Sequence, residues 1–331
     1  MQASVKMNAV LNCYEAEIAK GRDVSIILSP YLKNNVKLFI ESLHLNSPVF
    51  VFEENFGFDN HPFLYSFIYK KRIKNFLAKI GIDDNTNFFF TDVNDFRIGL
   101  LLPYLTRCRP TQILTKQDIV DGPDYQIGCK TKNLKEILRV KLLSFFYKTH
   151  FIATYEADIH QIWTDRKAWH LPMIDYSDTS IIKKYQIEVC DSPNSVIFFT
   201  SINVNGLYEH EVFCKLNIEV INILHQKGYK VFLKDHPSDG SPDIPGFKEL
   251  ADEILPSYIP GEFLNLSSFN FAIGLLSTAL ATTAEIIPTY SFLNICNVKN
   301  ELIRDHAYNY LKGFNSPLVF LNSLEEIPNL I

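Results

Sequence analysis

The chain has 331 residues, of which 47% are hydrophobic and 21% charged, and its formal net charge is −5. This length is enough for roughly two domains, and the balance of apolar and charged residues excludes an intrinsically disordered chain. Because the net charge is negative, no overall basic field exists that would attract nucleic acid. We therefore expect no nucleic-acid partner.

The six cysteines are scattered along the chain, without a CxxC pair and without histidines at the spacing of metal ligands. This pattern predicts reduced thiols and no metal site. No apolar export segment follows Met1, and no apolar run approaches the ~20 residues that a membrane-spanning helix needs. We expect a cytoplasmic protein that uses neither a metal ion nor another cofactor.

The first half of the chain alternates short apolar runs with stretches of helical spacing, which predicts a parallel sheet with helices on both faces. In chain order, the predicted elements are a strand at 24–28, a helix at 34–45, a strand at 49–52, a helix at 63–80 and strands at 88–90 and 112–114. The polar stretch 175–193 interrupts this alternation. We place the domain boundary there, between an N-terminal domain of residues 1–188 and a C-terminal domain of residues 189–331.

The alternation then resumes. The predicted elements are a strand at 196–200, a helix at 207–226 that Gly228 ends, a strand at 230–233, a helix at 247–254, a strand at 269–273, a helix at 278–286 and a strand at 289–295. The chain is therefore predicted to form two Rossmann-like, doubly wound α/β domains.

A lysine and a histidine follow the apolar run 231–233. Lys234 and His236 are two positions apart in an extended segment that continues into Pro237, so both side chains point to the same side. Open α/β sheets bind ligands outside the carboxyl ends of their strands, and we predict an ammonium and an imidazole in one crevice. The alternative is a surface turn with a solvated lysine. The chain's other His-Pro pair, at 61–62, is assigned to a helix start.

Two further polar groups fall on the same predicted edge. Ser277 and Thr278 follow a buried strand and begin a helix, where hydroxyls and backbone N–H groups bind anions; the alternative is an ordinary N-cap. Glu262 follows Pro260-Gly261 and is predicted to accept both hydroxyls of a ribose, or else to cap a first helical turn. The ordered set is more specific than any of its members.

The stretch 234–280 resembles the bacterial sialyltransferases that decorate lipooligosaccharides and capsules, with their K-x-H-P motif, I-P-x-E segment and S-T motif. The resemblance implies Lys234 near cytosine, Glu262 at the ribose, and His236, Ser277 and Thr278 on the phosphate of CMP-sialic acid. It also implies the GT-B fold, in which two Rossmann-like doubly wound parallel-sheet domains face a cleft. It covers the C-terminal half well and the N-terminal half less obviously.

The family's general base belongs to an acidic pair followed by glycine in the N-terminal domain. The best match is Asp121 before Gly122, although Val120 stands where a second acidic residue is usual. Asp124 is a second carboxylate in the same segment, and the alternative for 121–123 is a simple turn. Asp92 and Glu54, which also follow N-terminal strands, are the fallback candidates.

The expected reaction is a single displacement that inverts the anomeric centre and requires no metal. His236 and the two hydroxyls stabilise the departing phosphate, and Asp121 takes the proton of the attacking hydroxyl. The expected product is a bacterial surface glycan sialylated on galactose. The alternatives are another CMP-activated donor (Kdo, legionaminic or pseudaminic acid) and a non-catalytic CMP-sugar-binding protein.

The acceptor, an oligosaccharide or a lipid-linked glycan, is expected on the N-terminal domain, where the available cations are Arg97, Arg107 and Arg109. The cationic, apolar stretch 139–151 has two interpretations. It is either a helix packed on its own domain, which we favour, or a surface that lies on the inner face of the cytoplasmic membrane.

Overall fold

The structure, a computed structural model, describes residues 3–28, 33–52, 62–91, 96–105, 107–115, 129–130, 132–156, 159–165, 168–189, 193–201, 208–236, 246–298 and 301–329. The helices in these ranges are α1 (Ala3–Ala19), α2 (Lys33–Ser42), α3 (Pro62–Lys79), α4 (Phe96–Leu101), α5 (Leu134–Tyr147), α6 (Ile181–Lys184), α7 (His210–Gln226), α8 (Thr278–Thr283) and α9 (Glu301–Gly313). Short 3₁₀ turns occupy Leu102–Tyr104, Lys248–Leu250, Gly261–Phe263, Leu266–Ser268 and Leu324–Asn329.

The strands in the same ranges are β1 (Ile26–Leu28), β2 (Val49–Val51), β3 (Asn87–Phe90), β4 (Arg109–Leu114), β5 (Cys129–Lys130), β6 (Phe151–Glu156), β7 (Ile159–Thr164), β8 (Met173–Asp175), β9 (Ser195–Phe199), β10 (Lys230–Lys234), β11 (Glu253–Leu255), β12 (Phe271–Gly274), β13 (Thr289–Ser291) and β14 (Val319–Phe320).

The chain divides into two compact units. The C-terminal unit comprises Met1–Val5, Asn34–Leu45 and Thr179–Ile331, and the N-terminal unit comprises Lys6–Lys33 and Asn46–Asp178. Most of α2 therefore belongs to the C-terminal unit, although it lies early in the chain. In that unit Phe39 of α2 is buried against Phe263, with ring centroids 5.0 Å apart. The sequence did not predict that residues 34–45 belong to the C-terminal unit.

One parallel sheet organises the C-terminal unit. Its strand order is β11-β10-β9-β12-β13-β14, and every neighbouring pair is parallel. Renumbered within the unit, this is the doubly wound order 3-2-1-4-5-6, which reverses between β9 and β12. That reversal creates a crevice at the carboxyl ends of these two strands.

The core of this unit explains why the predicted elements form. Strand β9 is buried at every position, as expected for a central parallel strand covered on both faces. Helix α7 buries one stripe against the sheet, through Phe213, Leu216, Val220, Ile221 and Leu224. It ends before Gly228, whose φ of +81° is a left-handed conformation that suits glycine.

The N-terminal unit is mixed. Strands β1 and β2 pair in parallel, as do β3, β4 and β8, but β5, β6 and β7 form an antiparallel sheet. The prediction of alternating strands and helices is confirmed for β1 to β4, α2 and α3. A uniformly parallel N-terminal sheet is not what the described strands form, because the hairpin of β6 and β7 adds antiparallel pairing.

The predicted helix at 247–254 is wrong. The apolar spacing of Phe247, Leu250 and Ile254 suggested a helix, but the chain forms a 3₁₀ turn followed by the edge strand β11. Pairing with β10 supplies the backbone hydrogen bonds that a helix would have made internally, and an edge strand tolerates the exposure of Ile254. The predicted helix at 278–286 exists but ends sooner, at Thr283.

Candidate functional site

Three neighbouring strands end at the same level of the C-terminal sheet. In the register of the sheet, Phe199 at the end of β9 is the partner of both Lys234 in β10 and Gly274 in β12. Parallel strands lie about 4.8 Å apart, so β10 and β12 are separated by about 10 Å. The segments that follow these strands therefore emerge side by side at the point where the strand order reverses.

The histidine segment is fixed to the end of β9. Thr200 donates its backbone N–H to the carbonyl oxygen of Lys234 at 3.0 Å, and its hydroxyl oxygen accepts the backbone N–H of His236 at 2.9 Å. His236 is half-buried. This arrangement sets the direction in which the chain leaves β10, and with it the position of the imidazole.

The hydroxyl segment is fixed to the same strand one residue further on. The buried Ser201 hydroxyl accepts the backbone N–H of Leu276 at 2.9 Å, just before Ser277 and Thr278. Ser277 is the N-cap of α8, where its hydroxyl oxygen accepts the N–H of Ala279 at 3.3 Å. Capping uses an acceptor lone pair and leaves the O–H free to donate. Because α8 has only six residues, these hydroxyls, rather than a helix dipole, are what this end offers an anion.

Lys234 and Glu262 lie deeper than the other predicted site residues, each with 2% of its surface exposed. The ammonium of Lys234 donates to the carbonyl oxygens of Asp235 at 2.8 Å and Ser257 at 3.2 Å. Burial lowers its pKa, and the nearby carboxyl groups of Asp235 and Glu262 oppose that effect. Burial raises the pKa of Glu262, an effect that its own backbone N–H and the Lys234 charge partly offset. Among the described residues, one carboxyl oxygen of Glu262, Oε2, finds no hydrogen-bond partner.

We call Lys234 and Glu262 the inner layer, and His236, Ser277 and Thr278 the outer layer. The outer side chains are half-buried. The pKa of His236 falls to about 4, because burial and the Lys234 charge both disfavour the imidazolium. The outer layer therefore presents a neutral imidazole and two hydroxyls at neutral pH.

Two glycines allow the segments to approach this closely. A Cβ on Gly274 would lie 2.8 Å from the carbonyl oxygen of Phe199, and one on Gly261 would lie 2.6 Å from the Phe199 ring. A Cβ on Gly261 would also meet the Ala279 side chain of α8 at 3.3 Å. The Glu262 turn, the end of β9 and the first turn of α8 are therefore in contact.

The structure thus brings five of the predicted residues to one edge of one sheet: Lys234, His236, Glu262, Ser277 and Thr278. Their roles in binding remain predictions. Pro237 and the candidate bases lie outside the described residues; the bases are Asp121, Asp124, Asp92 and Glu54. Arg107 and Arg109 are exposed, and nothing is described of the Arg97 side chain.

Sequence reasoning missed Thr200 and Ser201. Thr200 ends the predicted strand at 196–200 and Ser201 follows it, and both fall on the edge that Lys234 and His236 share. Polar side chains right after an apolar run were the available signal. This signal is weak, because Ser and Thr are common at strand ends.

Two absences among the described residues are relevant to the chemistry. Among them, no three or more His, Cys, Asp or Glu side chains form a group that could hold a metal ion. The helices in these ranges include none that is long and apolar enough to cross a bilayer. Metal independence remains a prediction.

The comparisons with known proteins identify the family. The family model described as alpha-2,8-polysialyltransferase (POLYST) matches residues 125–295, just over half of the chain, and all five residues of the inner and outer layers lie within the match. Asp121 lies four positions before it. No curated protein and no solved structure gives a significant match. The chain belongs to the alpha-2,8-polysialyltransferase family and is a CMP-sialic acid-dependent sialyltransferase, a glycosyltransferase.

Proposed function

We propose that the enzyme transfers sialic acid from its CMP donor to a glycan hydroxyl in one inverting displacement, without a metal ion. The observation that carries this proposal is the outer layer: an imidazole and two hydroxyls at the switch point of a doubly wound sheet. Sheets of this order bind ligands at that crevice. The donor offers a phosphate there, and the outer layer offers hydrogen-bond donors to it.

The outer layer is suited to a phosphate leaving group. When the glycosidic C–O bond breaks, its electron pair stays on the phosphate oxygen and negative charge grows there. The neutral imidazole of His236 donates an N–H to this oxygen, and the growing charge raises the pKa of the imidazole and strengthens the bond. Ser277 and Thr278 donate their hydroxyl protons to the other phosphate oxygens. CMP is thereby released as a stabilised anion.

We propose that Lys234 and Glu262 complete the cytidine site beneath the outer layer, with Lys234 toward the base and Glu262 toward the ribose, and we assign Pro237 to the same site. Glu262 Oε2 is buried without a partner among the described residues, and a ribose hydroxyl that reached it would satisfy it. The charge of Lys234 adds a positive potential beneath the phosphate.

The acceptor proton needs a base. We propose Asp121 in the N-terminal unit, with Asp124, Asp92 and Glu54 as the competing carboxylates. The acceptor hydroxyl attacks the anomeric carbon opposite the phosphate and loses its proton to this carboxylate, and attack from that side inverts the centre.

This proposal includes the GT-B arrangement of the two units and a cytoplasmic location.

The family description points to the acceptor. Alpha-2,8-polysialyltransferases are named for joining sialic acid to sialic acid, so we propose a sialylated acceptor for this chain, as part of a capsular or lipopolysaccharide-type surface glycan. A galactose-terminated acceptor, expected from the motifs alone, is the competing substrate. The site reads the CMP half of the donor, so Kdo, legionaminic and pseudaminic acid donors are compared in the same test.

The test is an incubation of the full chain with CMP-Neu5Ac and either an α2,8-linked sialic acid oligomer or lactose. We expect CMP release together with an acceptor lengthened by one or more sialic acid residues, detected by mass spectrometry, and preference for the sialylated acceptor. NMR of the first product should show inversion relative to the donor, and chelation of metals should leave the rate unchanged. CMP binding without any transfer would favour a binding protein instead.

A further inference from the structure

In the described part of the chain, helix α5 packs through one face. Val140, Leu143 and Tyr147 are buried on that face, and Tyr147 meets Tyr69 of α3 with ring centroids 5.8 Å apart. The helix thus has the packing on its own domain that the sequence favoured. Its opposite face is unlike that of an ordinary surface helix.

The solvent face of α5 is apolar. Leu134, Leu138, Leu142 and Phe145 are spaced by four, four and three residues, which places them on one stripe. Their exposed fractions are 81%, 59%, 42% and 78%, respectively. A surface helix is expected to be polar on this side, and an exposed apolar stripe marks an interaction site.

Cations flank this stripe. At 100° per residue, Lys141 lies on one side of it and Arg139 on the other, and Lys135 lies beside Leu142; all three cations are exposed. The segment 132–148 contains five cationic residues and one carboxylate, a net charge of +4 in a chain whose total is −5. Lysine and arginine can lay their aliphatic stems along apolar surface and keep their charges at its margin.

The neighbouring helix has the same character. Helix α3 contacts α5 and exposes Phe67 and Ile68 (70% and 51%), close in sequence to the Tyr69 that packs on α5. It carries five exposed cations and no acidic residue: Lys70, Lys71, Arg72, Lys74 and Lys79. Two adjacent helices thus combine exposed large apolar side chains with unbalanced positive charge.

We propose that the exposed faces of α5 and α3 dock on the surface of an anionic lipid bilayer. Apolar side chains enter the boundary between headgroups and acyl chains, and the flanking cations remain among the lipid phosphates. A polyanion such as nucleic acid would account for the charge but not for the exposed leucines and phenylalanines. The proposal goes beyond the transferase activity and does not depend on it.

The test is co-sedimentation of the full chain with vesicles. We expect binding to vesicles of equal parts phosphatidylcholine and phosphatidylglycerol, and little binding to phosphatidylcholine alone. Leu138→Gln combined with Phe145→Gln should lower the bound fraction at least tenfold, with an unchanged circular dichroism melting curve because both side chains face solvent. Lys135→Gln combined with Lys141→Gln should weaken binding and reduce its sensitivity to salt.

Leu38→Gln is the matched control, since Leu38 is also an exposed leucine on a helix (48%) and should leave vesicle binding unchanged. Wild-type protein that ignores anionic vesicles overturns the proposal, as does equal binding by Leu138→Gln/Phe145→Gln. If the wild type is instead a dimer in sedimentation velocity and this double variant a monomer, with no vesicle binding, the face is a self-association surface. Transfer to a soluble acceptor, measured in parallel, should be the same in the wild type and the double variant.

Discussion

The inner and outer layers of the candidate site both consist of polar side chains at one sheet edge, but they differ in depth. His236, Ser277 and Thr278 are half-buried, whereas Lys234 and Glu262 are 2% exposed. The outer groups lie nearer the surface, so we expect a ligand to meet them first. Lys234 links the end of β10 to the segment that follows β11, and the two inner groups set the electrostatics beneath the outer layer. Residues that form one motif in sequence can therefore have separate tasks, and depth distinguishes them.

The largest expected effect comes from the outer layer. His236→Ala should lower transfer about 10²–10³-fold, because it removes a preorganised donor to the leaving phosphate. The melting temperature should change little. His225→Ala is the control: His225 contacts Asp252 at 3.0 Å before strand β11 begins, and its loss should not alter turnover. Wild-type turnover in His236→Ala would remove the imidazole from the mechanism.

A substitution in the inner layer should act mainly on the free energy of unfolding. Lys234→Met removes a buried charge and leaves the carbonyl oxygens of Asp235 and Ser257 without this donor. The expected loss is about 1–3 kcal/mol of unfolding free energy for each acceptor left unsatisfied, measured by urea denaturation. Lys230→Met, at the exposed start of the same strand, should cost little. Unchanged stability of Lys234→Met would contradict a structural role for this buried lysine, whatever happens to its CMP affinity.

The carboxyl group of the inner layer should give stability a pH dependence. Burial, partly offset by nearby donors and charge, raises the pKa of Glu262 from 4.5 to about 7. The folded state then keeps the proton over a range in which the unfolded state has lost it. The stability that this group contributes is present below pH 4.5 and is lost as the pH rises through 7.

Glu262→Gln cannot titrate, so it isolates this contribution. Relative to the variant, the wild type should lose about 3 kcal/mol between pH 4.5 and pH 7.5, measured by urea denaturation at both values. A difference between wild type and variant that does not change with pH would mean that the carboxyl group is solvated and not part of a buried layer.

Ser277 can separate helix capping from ligand binding. Ser277→Ala should lower turnover about tenfold, the effect of losing one hydrogen bond to a charged group. Ser277→Asp keeps a good N-cap and should retain stability, yet its carboxylate would repel the phosphate and abolish CMP binding. If calorimetry finds CMP bound normally by Ser277→Asp, Ser277 is a cap and nothing more.

Much of the C-terminal fold was predictable because apolar runs and helical stripes there follow simple periods. Strands β9, β10 and β12, helix α7 and the stop at Gly228 all follow from that pattern. The prediction of a helix at 247–254 was wrong because pairing with β10 outweighs the local spacing of apolar residues. The place of α2 depends on contacts with residues more than two hundred positions away, such as Phe263, which no local pattern records.

The sequence predicted which residues belong to the site but not how deeply each of them is buried. The alignment of Lys234, Phe199 and Gly274 follows from strand order, and the sequence already implied a shared edge for the motifs. The burial of Lys234 and Glu262, and the tethering roles of Thr200 and Ser201, depend on how closely the segments approach. Gly261 and Gly274 allow that approach, and their importance appears only when a Cβ is placed against Phe199.

The most direct test of the central claim is calorimetric titration of the wild type, His236→Ala and Ser277→Asp with CMP and UMP. The wild type should bind CMP in preference to UMP. His236→Ala should bind CMP at least tenfold more weakly, and Ser277→Asp should not bind it. CMP affinity that is the same in all three proteins would contradict a cytidylate site at the edge shared by β9, β10 and β12.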